Sequence, residues 1–111
     1  MVKVVALVRK KQGLTAAEFR DYWLNTHAPL AAAIPTMRGY RINIASDPGD
    51  QPPAPYDGSA ELWFDDRAAM AAGLGSPEGV LAGDDTAHFT QSIEFLVTEE
   101  HVILPVPGGR V

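Results

Sequence analysis

Residues 14–30, LTAAEFRDYWLNTHAPL, contain the helix around which the predicted fold is arranged. Thr15 and Glu18 have the spacing of a capping box, in which each side chain accepts the backbone N–H of the other residue. The side chains that follow recur at helical spacing and form one stripe: Phe19, Tyr22, Trp23, Thr26 and Leu30. Because Pro29 has no N–H to donate to the carbonyl of Asn25, we expect the helix to kink at this point.

Strand-like segments flank this helix and recur in the second half of the chain. Residues 2–8 are apolar on both faces, which predicts a central strand. Three further segments alternate between apolar and polar residues, namely 37–45, 59–65 and 91–99. Helical patterns at 67–74, capped by Asp65 or Asp66, and at 77–89 lie between the last two strands. The order βαββαβ predicts an α+β, ferredoxin-like sandwich formed by residues 1–111 as a single domain.

Two segments fall outside this pattern. Residues 46–58 contain four prolines and predict a long polar loop, which could serve as a lid. After the last predicted strand, residues 101–104 resemble a short additional strand, and we expect the tail 105–111 to be flexible.

The predicted sheet has one apolar face for the helices and one mixed face. The mixed face carries Arg41, Asn43, Glu61 and Glu94 together with the apolar Trp63 and Leu96. Matched charges beside an aromatic residue favour a homodimer through this sheet face, in which Arg41 could meet a carboxylate of the second copy. The alternative is a monomer with a mixed surface.

Composition excludes several classes of protein. The formal net charge is −5 and the basic residues cluster only at 9–11, so no nucleic-acid partner is expected. The chain has no cysteine, which excludes disulfides and thiolate metal sites. The apolar run at the N-terminus is too short for a signal peptide or a membrane span, so we expect a cytoplasmic protein with no membrane partner. GLGSPEG, residues 73–79, lacks the features of a nucleotide-binding loop and is interpreted as a break between helices.

The candidate site centres on His27. On the helix it lies about 40° from Trp23 and about 80° from Phe19, at the edge of the buried stripe. A histidine can act as acid or base near neutral pH, and Tyr40, Tyr22 and Trp23 would surround it with an apolar pocket. A structural histidine that donates to the carbonyl exposed by Pro29 explains the same pattern equally well.

A metal site is the weaker candidate. Asp84, Asp85 and His88 have helical spacing that could place three ligands together, but a solvated helix end explains these residues as well. We therefore predict no metal, and we keep His88 as a candidate at the mouth of the pocket.

The segments LTAAEFRDYWLNTHAPLAAAIPTMRGY, YDGSAELWFDD, SPEG and HFTQSIEFLVTEEHVI together resemble the EthD family of dimeric α+β-barrel proteins over roughly residues 3–104. The resemblance implies a barrel-forming dimer, an acid/base role for His27 and a pocket-lining role for Tyr40. It also implies chemistry without a cofactor, as in the isomerases and dehydratases among such relatives. The isomerase type also uses a cysteine, which this chain lacks.

Two functions follow as hypotheses. The first is a cofactor-free enzyme acting on a small, oxygenated, largely apolar metabolite. In it His27 would move a proton, Tyr40 would stabilise an oxyanion, and the substrate would be enclosed by Tyr22, Trp23, Phe64, His88 and Phe89. The chemistry would be isomerisation, dehydration or an oxidoreductase-related step. The second is a non-catalytic binding or accessory protein of an oxidative degradation or polyketide pathway.

Overall fold

The computed structural model describes residues 1–107, which contain four strands and four α-helices. The strands are β1 (Val2–Lys10), β2 (Met37–Ile44), β3 (Gly58–Phe64) and β4 (Thr90–Glu99). The helices are α1 (Ala16–Tyr22), α2 (Ala28–Ala32), α3 (Arg67–Leu74) and α4 (Pro77–Asp85). The strands form one antiparallel sheet in the order β2-β3-β1-β4. This architecture confirms the predicted ferredoxin-like α+β fold.

The sheet packs its inner face against the helices. Val4, Ala6 and Val8 of β1 are buried on that face, and their register places them beside Leu62, Ala60 and Gly58 of β3. Phe64 continues the inner face and is fully buried. The alternation predicted for β3 is therefore confirmed, with Ala60, Leu62 and Phe64 in the core.

The edge strand β4 departs from the prediction. Ile93 packs against the core as expected, but Phe95 is 63% exposed and Val97 is 38% exposed, although both lie on the inner face. The expectation that the helices cover a complete apolar face on this strand is wrong, because β4 is an edge strand on which Phe95 and Val97 stay partly exposed.

The first helix contains a π-helical segment where we expected a kink. The capping box forms as predicted, with Glu18 N–H 3.1 Å from Thr15 Oγ1 and Thr15 N–H 2.9 Å from Glu18 Oε1. The π-helical segment Trp23–His27 then joins α1 to α2 without a break, and Ala28 donates to the carbonyl of Trp23. The wider turn accommodates Pro29 directly after it, because it relieves the contact between the proline ring and the preceding turn.

The second helical region is divided as the sequence suggests. Asp66 caps α3, and its carboxylate accepts the N–H of Ala69 at 2.8 Å. Ser76 caps α4 by accepting the N–H of Gly79 at 3.0 Å, and Pro77 begins that helix. The predicted helix 77–89 consists of α4 followed by a 3₁₀ turn at Thr86–His88.

The loop between β2 and β3 returns to the outer face of the sheet. Tyr56 lies against the guanidinium of Arg9 at 4.5 Å and donates to Glu94 at 3.2 Å. Asp57 anchors the end of the loop, since its N–H donates to the carbonyl of Val8 at 2.8 Å. The loop therefore ends on the face opposite the helices.

The predicted strand 101–104 does not form, because these residues pair with no neighbouring strand, and Val102, Ile103 and Leu104 are exposed. In the predicted flexible tail, residues 105–107 are exposed, whereas 108–111 lie outside the described residues. Within residues 1–107 no helix has the length and apolar character that a membrane crossing needs.

Candidate active site

A cavity of about 90 Å³ lies between the helices and the inner face of the sheet. Alanine and glycine occupy six of the positions that line it, and these small side chains leave the space open: Ala6, Ala31, Ala60, Gly79, Ala82 and Gly83. A water molecule takes up about 30 Å³ in the liquid, so the cavity can receive the reacting end of a small ligand.

His27 lines the cavity and is held at one ring nitrogen. Its side chain is 9% exposed, and its ring centroid lies 4.8 Å from that of Phe89. Nδ1 lies 2.9 Å from Oδ2 of Asp85. Because an ionised carboxylate only accepts hydrogen bonds, Nδ1 carries the proton. Nε2 has no partner among residues 1–107 and is the nitrogen left for a ligand.

Asp85 connects this histidine to the first helix. Its Oδ1 accepts the hydroxyl of Tyr22 at 2.8 Å, while Oδ2 faces His27. The carboxylate is largely buried, with 11% of the side chain exposed. Burial and the hydrogen bond to Asp85 raise the pKa of Tyr22, so its hydroxyl stays protonated and continues to donate. The group that orients Nδ1 is thus a carboxylate, and the expected backbone carbonyl beside Pro29 is not its partner.

Asp85 is the functional residue that sequence reasoning missed. The helical spacing of Asp84, Asp85 and His88 indicates only a weak metal site or a solvated helix end. Its partners lie 58 and 63 residues away along the chain, a distance that no periodicity reveals. No group of three or more histidine, aspartate or glutamate side chains among residues 1–107 is arranged to hold a metal ion.

Tyr40 supplies a second polar group to the cavity. Burial raises the pKa of Tyr40 to about 12, although a hydrogen bond with Trp23 acts in the opposite direction. Trp23 and Tyr40 both line the cavity, so the indole lies on the same wall as the phenol. The Tyr40 hydroxyl therefore remains neutral, and its own proton is available to a ligand.

The remaining predicted residues divide into two groups. Trp23 and Phe89 line the cavity beside His27 and Tyr40, and both are almost fully buried. Tyr22 stands behind the lining, with its ring stacked on Phe89 at 5.5 Å. Phe64 is buried in the core outside the cavity, and His88 is exposed with its ring 6.2 Å from Tyr22.

The EthD domain family matches residues 11–92 of the chain. An 11.0 kDa protein from the thcB–thcC intergenic region of Rhodococcus erythropolis is 30% identical over 90 residues, which cover 80% of this chain and 86% of the relative.

Among solved structures, an EthD family protein from Bacillus halodurans matches with a TM-score of 0.78 and 25% identity, covering 91% of this chain and 99% of its own. A dimeric protein of ferredoxin-like fold from Bacteroides fragilis matches at 0.67 and 19% identity, with 89% and 95% covered. SnoaB from Streptomyces nogalater, a cofactor-independent oxygenase, matches at 0.68 and 17% identity, with 95% and 97% covered.

Proposed function

The chain belongs to the EthD family, and from this premise we propose that it is a small-molecule enzyme in which His27 transfers a proton. The observation that carries the proposal is the buried pair between His27 Nδ1 and Asp85 Oδ2, 2.9 Å apart at the wall of an apolar cavity. With Nδ1 held by Asp85, Nε2 of this cavity-lining histidine is the nitrogen that can act as a base, which is the arrangement general acid–base catalysis requires.

The proposed step begins with the removal of a proton from a carbon next to a carbonyl group. Nε2 takes the proton, the C–H electron pair moves into the carbonyl system, and negative charge develops on the oxygen. Tyr40 donates a hydrogen bond to that oxygen, since burial raises the pKa of its hydroxyl to about 12 and keeps it protonated. The imidazolium then returns the proton to another carbon, which gives isomerisation, or to a departing hydroxyl, which gives dehydration.

Asp85 acts in this step as a positioning residue. Its carboxylate keeps the proton of neutral His27 on Nδ1 and stabilises the positive charge that appears when Nε2 accepts a second proton. Tyr22 holds the carboxylate in place from the other side at 2.8 Å. Both contacts are shielded from water, which strengthens them.

The cavity limits the substrate to a small, largely apolar, oxygenated compound. Apart from His27, Tyr40 and Thr86, its lining is apolar. The volume of about 90 Å³ admits a reacting carbonyl group with a few neighbouring carbons. SnoaB, a cofactor-independent oxygenase, performs small-molecule chemistry on the same fold, which is compatible with the proposal.

A hydrogen–deuterium exchange assay tests proton transfer without knowledge of the natural substrate. The protein is incubated in D₂O with cyclopentanone, 2-cyclopentenone and α-angelica lactone, and loss of the proton next to the carbonyl is followed by ¹H NMR. We expect the wild type to accelerate exchange and His27→Gln to reduce that acceleration by about a hundredfold or more. Glutamine retains a donor for Asp85, so the site should stay folded.

His88→Gln is the matched control, because His88 is an exposed histidine outside the cavity. The His88→Gln variant should accelerate exchange in the carbonyl compounds as much as the wild type does. Equal rates for wild type and His27→Gln, or no acceleration by the wild type on any of the three compounds, would contradict the proposed function. Ligand-induced shifts of the His27 ring signals without any exchange would favour the binding or accessory protein instead.

We further propose that two copies associate through the outer face of the sheet. Leu96 is 58% exposed there beside a cluster of paired charges, and the structural match from Bacteroides fragilis is dimeric. Lys3 already pairs with Glu61 and Glu100 within the chain, so the apolar surface rather than unpaired charge would drive association. Light scattering should give twice the chain mass of 11.9 kDa, and Leu96→Glu should give a single chain. A wild-type monomer at micromolar concentration would refute the dimer.

A further inference from the structure

The rim of the cavity is marked by residues that both line it and are exposed. These are Leu74 at the end of α3, Gly83 in α4 and Phe95 in β4, whereas His27 lies among the buried lining residues. A ligand must therefore pass the rim before it reaches Nε2. Of the three rim residues, only Gly83 has no side chain.

Two glycines of α4 line the cavity, but for different reasons. A Cβ at Gly79 would lie 2.4 Å from the carbonyl oxygen of Gly73, so close packing of α3 on α4 requires glycine there. A Cβ at Gly83 would meet no atom within 4 Å, and its backbone is helical. Glycine weakens a helix relative to alanine, and packing does not explain its presence at position 83.

We propose that Gly83 forms the entrance to the His27 cavity and sets the width of the ligand that can enter. The missing side chain leaves an opening two residues before Asp85, which holds the histidine. The inference rests on the proposed function for the class of ligand, a small carbonyl compound. Its test, however, requires neither substrate nor turnover.

The absence of native cysteines makes a direct test possible. Gly83→Cys introduces a single thiol, which is then alkylated with N-phenylmaleimide to place a bulky group at the rim. Diethyl pyrocarbonate probes access, because it acylates unprotonated imidazole nitrogens. Mass spectrometry of the peptides gives separate rates for His27, His88 and His101.

Leu81→Cys, labelled in the same way, is the matched control, because Leu81 is 56% exposed on the same helix and does not line the cavity. We expect the label at position 83 to slow acylation of His27 by about tenfold or more, because the phenyl group would block the path of diethyl pyrocarbonate to the ring and steric misfit in an apolar pocket has effects of about this size. The label at position 81 should leave that rate unchanged. His88 and His101 should react equally in all samples.

Equal His27 rates in the two labelled variants would overturn the inference. So would a wild-type His27 that stays unmodified while His88 reacts, because the cavity would then have no entrance. Gly83→Ala should raise the thermal midpoint, since the added methyl group meets open space. The exchange assay in D₂O tests the proposed function independently. Its failure would contradict proton transfer by His27 but not the entrance at Gly83. Equal acylation rates in the two labelled variants would contradict the entrance but not proton transfer.

Discussion

The pair between Asp85 and His27 allows a quantitative prediction for Asp85→Asn. The Nδ1 and Oδ2 atoms lie 2.9 Å apart, and the charges of an imidazolium and a carboxylate are delocalised, so their centres are about 4 Å apart. At an effective dielectric constant of about 20, this attraction is worth about 4 kcal/mol. Only the protonated imidazole gains it fully, but removing both groups from water offsets part of the gain. A hydrogen bond between charged groups contributes about 2 kcal/mol net, so its loss should slow proton transfer by about thirtyfold.

The asparagine amide has a second effect on the histidine. Asparagine offers one acceptor oxygen where aspartate offers two, so Tyr22 and His27 can no longer each donate to an oxygen of its own. If the amide NH₂ faces Nδ1, that nitrogen must accept, and the ring proton moves to Nε2. The nitrogen toward the cavity then cannot act as a base.

The assay is α-carbon exchange in D₂O, combined with ¹⁵N NMR of the His27 ring. The wild type should show a protonated Nδ1 and an unprotonated Nε2, and Asp85→Asn should alter this distribution. Asp84→Asn is the control, because Asp84 is the adjacent, exposed aspartate on the same helix. An Asp85→Asn rate within about threefold of wild type would refute the reasoning, since such a difference is well below about 2 kcal/mol.

Two predictions concern pH. Burial raises the pKa of Tyr40 to about 12 from its ordinary 10.0, so the folded state binds this proton more tightly than the unfolded chain does. The contribution of this proton to the free energy of unfolding is therefore complete below pH 10 and is lost as pH rises from 10 to 12. The tyrosinate absorbance difference between wild type and Tyr40→Phe should therefore have its midpoint near pH 12, and a midpoint near pH 10 would contradict the burial. Hydrogen bonds from Lys3 lower the pKa of Glu100; in Glu61, where burial alone would raise it, bonds from Lys3 and Asn43 prevail and the pKa also falls. These carboxylates stabilise the fold above their ordinary pKa of 4.5 and lose that contribution as pH falls below it. In Lys3→Met, the free energy of unfolding measured with urea should therefore fall less steeply with decreasing pH on the acid side. An unchanged pH dependence would mean that the ion pairs of Lys3 with Glu61 and Glu100 add nothing to the free energy of unfolding.

Much of the fold could be predicted because it depends on short-range rules. The capping box at Thr15, the alternation of β3 and the serine and proline that begin α4 involve residues within four positions of one another. The prediction failed where the wider sheet intervenes. Phe95 has the pattern of a buried residue, but it lies on an edge strand at the rim of the cavity and is 63% exposed.

The candidate site divides in the same way. The stripe on the first helix placed His27 beside Trp23, and local spacing was sufficient for that. The partner of its ring nitrogen could not be predicted from local spacing, because Asp85 lies 58 residues away along the chain. A π-helical segment accommodates Pro29, and the carbonyl that the proline was expected to expose does not bind the ring. Phe64, expected around the substrate, lies in the core outside the cavity, and aromatic character does not distinguish a core residue from a cavity wall.

The sequence by itself determined the strand and helix pattern, the ferredoxin-like order and the position of His27 at the edge of the buried stripe, because hydrophobic periodicity and caps act over one or two turns of chain. Only the tertiary structure decided that Asp85 binds His27, that Tyr22 holds Asp85, and that Gly83 borders the cavity. These contacts join α4 to the first helix across about sixty residues, and they exist only because both helices pack on the same face of one sheet.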